Sequence, residues 1–465
     1  MQVIDLSIFW IYLLVILGIG IFASRSVKTL NDYALGGRSY SSFFVFATLS
    51  ASFIGGGFTM GLSEKVFSTG LLYVVALWGF SFKEILIARF IAPRMKAFSF
   101  AISVGQIMGS FYGKYARIIT GCSGVLVCAG IAGAQFSAFG YLMNLFMGIT
   151  PSIGVLIGAF VVVTYSTLGG MKSVVANDTV HFLVLIIALP LVFLFGLSAV
   201  GGFETLFDRV PAQHVSIPNA TAIFPIIGLF LSFFFGETLV PPYMQRLLIG
   251  KTLQATARGT LWSGLLSIPF FLMMGFIGLI ALVLDPTISA HVALPYVIQT
   301  VMPIGLKGLA VAGMMAVIMS SADAFLNAAS VSLIHDVVKP FKETLNPKNE
   351  MWWTRFATVG VGISGIIFAV STKSVLDILL YAYNFWTPFI LVPLVAGLLG
   401  YLSTPKVFWI SSIFGIGSTL AWNQFGISSL DGAVVGIAVN FGAFVMFNRL
   451  LCGPFSHGKS LRVKV

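Results

Sequence analysis

Three short runs hold the residues best suited to bind an ion or a small solute in an otherwise apolar chain. The first is Ala51-Ser52-Phe53-Ile54-Gly55-Gly56-Gly57-Phe58-Thr59. Each glycine weakens a helix by about 1 kcal/mol relative to alanine. A triplet therefore favours unwinding, and unwound carbonyl oxygens can bind a cation without a formal charge. Close helix packing is the alternative use of glycine in such a run. The second run is Phe235-Gly236-Glu237-Thr238-Leu239-Val240-Pro241-Pro242-Tyr243-Met244-Gln245-Arg246. Its two prolines remove two N–H donors and clash with the preceding turn, so a helix must break here too. Glu237 stands beside the break, either facing a solute or pairing with a basic group. The third run carries Ser320, Ser321, Asp323, Asn327 and Ser330. Positions 320, 323, 327 and 330 fall on one helix face. Such a stripe needs an ion, a water file or another helix as partner. Its oxygen-only donors suit a hard cation, and the lack of histidine and cysteine argues against a transition metal.

Other polar residues read more plainly. Asp178 follows the tight Gly169-Gly170-Met171-Lys172 turn and is expected about one turn into the next helix, where N–H groups satisfy a carboxylate. His181 reads as a packing residue, and His335-Asp336 as a solvated pair at a cytoplasmic helix end. Cys122, Cys128 and Cys452 form no metal or redox spacing. No nucleophile–base pair or convergent histidines suggest an enzyme.

The elements that position these runs follow from composition. Of 465 residues, 58% are hydrophobic and 9% charged, with mean hydropathy +1.00. So few charges cannot clothe a water-facing surface of this size, and the chain must be solvated by the lipid bilayer. Apolar runs of membrane-crossing length lie near 6–24, 42–63, 70–92, 118–147, 151–169, 178–200, 222–247, 258–284, 305–337, 354–372, 375–401, 407–422 and 430–450, giving about 13 helices. Runs this long exclude a β-barrel. With the N-terminus outside, the 26 Lys and Arg residues divide 21 to 4 in favour of the cytoplasmic side, and Lys83 is left inside a span. That bias sets the orientation and places the C-terminus in the cytoplasm. It also accounts for the net charge of +11 without a nucleic-acid partner. The expected setting is the cell (inner) membrane, with a monomer as functional unit.

The second and seventh spans are the broken ones, five spans apart. This points to two inverted repeats around a midplane site. The expected division is a leading helix and link (1–41), a first repeat (42–201), a second repeat (202–402), and two trailing helices with a basic tail (403–465).

Gly169-Gly170-Met171-Lys172-Ser173-Val174 with Asp178, the Gly55-Gly56-Gly57 break, and Met319-Ser320-Ser321-Ala322-Asp323 together resemble the sodium:solute symporter family. The resemblance runs from about residue 4 to 450 and implies an all-α integral membrane protein of the LeuT type. It implies a sodium ion held by the carbonyls of Ala51, Ile54 and Val317 and the hydroxyls of Ser320 and Ser321. A second site in some members would map to Asp178 and Ser320. Here Asp323 and Ala324 replace hydroxyl residues, so Asp178 and Asp323 are expected to bind a second cation or a proton. The same segments look closest to the high-affinity choline transporter branch, but the tryptophans of its cage correspond to Phe53, Ile131 and Val240. Phe53, Gly56, Thr59, Gln135, Tyr141 and Glu237 are the expected solute contacts. The implied activity is sodium-coupled import of a small amine, zwitterion or carboxylate by alternating access. A proton-coupled carrier of the same fold is the alternative, and a membrane solute sensor a more distant one.

Overall fold

The computed structural model describes residues 1–216, 220–342, 346–371, 386–425 and 430–453. Among them the regular structure is helical, and the one extended pairing is an isolated bridge between Tyr40 and Gly250. The leading helix α1 (Val3–Ser24) and the short link helix α2 (Leu30–Leu35) precede the first broken span, α3 (Ser42–Phe53) and α4 (Leu62–Thr69). Then come α5 (Leu72–Leu86), α6 (Val104–Tyr112), α7 (Lys114–Met147), α8 (Pro151–Ala199) and α9 (Gly202–Arg209). The second broken span is α10 (Ala220–Phe235) and α11 (Pro241–Leu248). It is followed by α12 (Leu253–Leu284), α13 (Ala293–Val301), α14 (Leu306–Val331) and α15 (Pro347–Ser371). The described chain ends with α16 (Val392–Leu398), α17 (Pro405–Phe425) and α18 (Gly432–Cys452).

Among the described residues, seven helices are long and apolar enough to cross a membrane, or eight if the bent pair around residues 54–56 counts as one. The sequence suggested about 13. The difference arises partly because the runs 42–63, 70–92 and 222–247 are assembled from shorter pieces rather than single rods. Part of 375–401 lies outside the described residues.

Helix α14 is the central post, with 94% of its apolar window buried, against 28% for α1. The two are tied at one end. Asp5 accepts hydrogen bonds from Gly305 N at 2.7 Å and Gly308 N at 3.0 Å. It thereby caps α14 with a carboxylate donated by another helix.

Helix α8 turns at Gly170, whose φ of 51° and ψ of −138° interrupt the helix for one residue. A Cβ there would stand 2.4 Å from the Tyr33 carbonyl oxygen, so only glycine fits. The helix resumes at Met171 rather than near 178. Asp178 is therefore about two turns inside and fully buried, not a helix-entry carboxylate. The expectation for His335-Asp336 is also overturned, because both are buried. Glu350 holds His335 at 2.6 Å, and Ser103 donates to Asp336 at 2.6 Å. These bonds join the end of α14 to α15 and to the loop before α6.

Candidate ion and solute site

The first break is a specific rerouting of donors. In an unbroken helix the N–H groups of residues 55, 56 and 58 would bond the carbonyls of 51, 52 and 54. Here Gly55 N donates to Phe53 O at 2.7 Å and Phe58 N to Gly55 O at 3.2 Å. Gly56 N donates to Gln135 Oε1 at 3.3 Å. Ile54, at φ −71° and ψ 71°, is the centre of an inverse γ-turn. The carbonyls of Ala51, Ser52 and Ile54 thus lose their helical partners.

Helix α14 meets this gap. Ser320 Oγ donates to Ala51 O at 2.6 Å and also reaches Val317 O at 3.2 Å, while Ser321 Oγ donates to Ser52 O at 2.8 Å. Ala51 O, Val317 O and Ser320 Oγ are therefore brought together, and Ile54 lies in the same break. The approach depends on Gly55, where a Cβ would lie 2.7 Å from Ser321 Oγ.

Asp178 and Asp323 stand in a second buried cluster. Asp178 Oδ2 accepts from Thr48 Oγ1 and pairs with Arg246 at 3.0 Å. Arg246 also donates to Thr48 O at 3.3 Å. Asp323 Oδ2 accepts from Tyr165 OH at 2.6 Å. Both carboxylates keep one buried oxygen without a hydrogen bond, as do the side chains of Asn177 and Asn327. Among the described residues no group of three or more His, Cys, Asp or Glu could hold a metal. An ion at either position would rest on carbonyls, hydroxyls, amides and isolated carboxylates, a hard-cation donor set.

The expected solute residues are partly assembled. Thr59 Oγ1 donates to Gly55 O at 3.0 Å, and Gln135 meets Gly56 as above. The Phe53 ring lies 4.7 Å from Phe80 and 6.4 Å from Phe271. Tyr243 OH donates to Glu237 at 2.5 Å. Leu239, with φ 54°, makes the second break in a conformation few side chains adopt. Trp386 Nε1 donates to Thr238 O at 3.2 Å and Thr387 Oγ1 to Gly236 O at 3.3 Å, so protein donors satisfy these released carbonyls. Ile131 and Val240 are buried apolar residues, and Tyr141 packs instead on His291 at 5.8 Å.

Sequence reasoning missed Arg246, Thr48 and Tyr165. Arg246 was counted with the cytoplasmic loops, yet it is fully buried. Its place in the helix after the double proline was the available signal. Thr48, one turn before Ser52, was equally legible.

A family model for the sodium:solute symporter family matches residues 33–401. The chain belongs to this family. Solved structures share the architecture. A Na+-coupled sialic acid symporter aligns over 98% of this chain and 99% of its own, with TM-score 0.86 at 20% identity. Mhp1, a nucleobase-cation-symport-1 family transporter, aligns over 94% and 98%, with TM-score 0.62 at 13% identity. These likenesses bear out the all-α, LeuT-type fold. Among curated relatives, the high-affinity choline transporter 1 of Drosophila melanogaster is 26% identical over 406 residues. That match covers 81% of this chain but 62% of the fly protein.

Proposed function

We propose that this multi-pass membrane protein imports a small organic solute together with sodium by alternating access. The supporting observation is the set of carbonyls released at residues 51, 52 and 54, two of which are met by the adjacent hydroxyls of Ser320 and Ser321. Sodium is a co-transported substrate in this reading, held by Ala51 O, Ile54 O, Val317 O and the two hydroxyls. Its binding draws α3 to α14 and orders the first break. Solute bound against the same break is then held more tightly, and the effect is reciprocal. One sodium entering down about 100 mV and a tenfold gradient supplies about 2.3 plus 1.4 kcal/mol. The moving units are the repeats 42–201 and 202–402, with the N-terminus outside and the C-terminus in the cytoplasm. No covalent step is assigned to any residue.

A proton-coupled variant draws support from Asp323, whose buried carboxyl is paired with Tyr165 rather than with a cation. Uptake into proteoliposomes separates the two. The sodium reading expects uptake of a solute found by thermal-shift screening to need an inward sodium gradient and to survive a protonophore. Uptake indifferent to sodium but abolished by the protonophore would replace it with the proton reading.

A further inference from the structure

A groove on the outer face of the helix bundle separates the first arm of α8 from α15. It encloses about 350 Å³. Leu156, Phe160 and Val163 line one wall, and Val359, Ile363 and Ile366 the other. Thr164 supplies a hydroxyl, but that donor is spent on Phe160 O at 2.6 Å. The two helices approach closely at Gly362, where a Cβ would stand 2.5 Å from Val163 Cγ2. Leu156, Phe160 and Ile363 stay exposed at the rim. An apolar recess that opens to lipid takes up hydrocarbon, because its lining would otherwise forfeit dispersion contacts.

One end of the groove is charged. Positions 348, 352, 355, 359, 362 and 366 recur at spacings of three and four and so share one face of α15. That face carries Lys348, Trp352 and Arg355 and then runs into the groove. Arg355 donates to Leu168 O at 3.0 Å, one turn past Thr164 on the opposite wall. Its Nε is buried without a hydrogen bond, and its guanidinium lies 5.4 Å from the Trp352 ring. Among the described residues neither Arg355 nor Lys348 pairs with a carboxylate. Glu350 is held by His335 and Lys339, and Asp32 by Lys172. Trp352, Trp353 and Phe356 are exposed around this end, and exposed tryptophans mark a membrane–water boundary.

The dimensions fit one lipid. Val359 to Ile366 lie about 6 to 17 Å beyond Arg355 along the helix axis, and one leaflet of hydrocarbon is about 15 Å deep. The groove therefore spans the depth of an acyl chain whose headgroup sits at the level of Arg355. A phosphodiester offers the guanidinium a bidentate acceptor, whereas a zwitterionic headgroup would bring a third cation to the same corner. We propose that this groove binds one anionic phospholipid, its acyl chain between α8 and α15 and its phosphate on Arg355, with Lys348 reinforcing the attraction two turns away. This holds whether sodium or a proton drives transport.

Native mass spectrometry of the purified full chain in a neutral detergent reads the binding, with palmitoyl-oleoyl phosphatidylglycerol and phosphatidylcholine as probes. The first adduct should form at about tenfold lower concentration of phosphatidylglycerol, the size that two basic residues near an anionic lipid supply. Arg355→Gln combined with Lys348→Gln should bring the two lipids to within about threefold. Val359→Phe occupies the groove and should weaken the first adduct of both lipids by about fivefold or more, with their ratio kept. Glycerophosphoglycerol, which has the headgroup but no chains, should not displace the adduct. If the double variant does not fold, Lys348→Gln, which alters one exposed side chain, should still lower the preference by about threefold. Equal affinity for the two lipids, an unchanged preference in the charge variants, or an adduct insensitive to Val359→Phe overturns the proposal. Displacement by glycerophosphoglycerol would overturn it in favour of a soluble anion, and a dimer in place of the lipid adduct would assign the groove to a second copy of the chain.

Discussion

Replacing Ser320 with alanine tests the ion site most directly. In the structure its hydroxyl donates to Ala51 O at 2.6 Å and lies near Val317 O at 3.2 Å. The substitution removes one proposed oxygen ligand from the sodium-bound form and one neutral hydrogen bond from the sodium-free form. The first loss is larger, because contacts to an ion are roughly twice as strong as contacts between neutral groups. The difference should be about 1–2 kcal/mol, which is roughly a five- to thirtyfold rise in the sodium concentration for half-maximal effect. Sodium raises the unfolding temperature of a protein that binds it only when folded. Thermal unfolding across a sodium titration, with potassium holding ionic strength, therefore reads the shift. Ser412→Ala is the control, since that hydroxyl bonds Phe389 O at 2.8 Å, away from the break. A Ser320→Ala midpoint within about twofold of the unaltered protein, or an equal shift in Ser412→Ala, would refute the placement of sodium between α3 and α14.

Four further outcomes follow from the same contacts. Gly55→Ala forces a methyl to 2.7 Å from Ser321 Oγ, whereas a Cβ at Gly57 meets nothing within 4 Å; sodium titration should show weakened binding in the first and little change in the second. Asp5→Ala removes the cap on α14 and should lower stability by about 1–2 kcal/mol, seen as an earlier thermal transition with unchanged sodium dependence. Arg246→Met leaves Asp178 buried without its partner and should cost about 3–5 kcal/mol; adding Asp178→Asn should restore part of that loss, and a double variant less stable than either single one would contradict the pairing. Partial burial pushes the Asp32 carboxyl up, but hydrogen bonds from Lys172, Thr29 and the backbone N–H groups of Lys28 and Thr29 outweigh it and hold its pKa below the ordinary value. Its stabilising contribution should be complete above the unfolded carboxylate pKa and fade as pH falls through the lowered folded value; unfolding curves of Asp32→Asn should lack this acid-side slope.

Much of the first break was legible because local chemistry determines it. Three glycines cannot hold a helix against competing donors, and the serines at 320 and 321 share the face that meets them. The lengths of α1, α7 and α12 followed from apolar runs alone. Asp178 was misplaced because a positive-φ glycine can end one helix and begin the next within a single residue, and no hydropathy window resolves that. Arg246 was misread for another reason. Charge placement by hydropathy assumes that a cation near the end of a span reaches water, but burial depends on which helices surround it. The same holds for His335 and Asp336, whose partners come from α15, from Arg117 on α7, and from the segment just before and within α6.

Arg246 also bears on how the two breaks work together. It follows the second break on α11, while Thr48 precedes the first on α3, one turn from Ser52. The same guanidinium reaches Thr48 and Asp178, so it ties the halves of both broken spans on one side of their breaks to α8. Displacing α11 from α8 must break a buried charge pair, at a cost comparable to the energy one sodium supplies, and displacing it from α3 must break the hydrogen bonds from Arg246 to Thr48. Those two half-helices should therefore move as one body. The proposed sodium ion, one turn from Thr48, would then set where that body rests against α14.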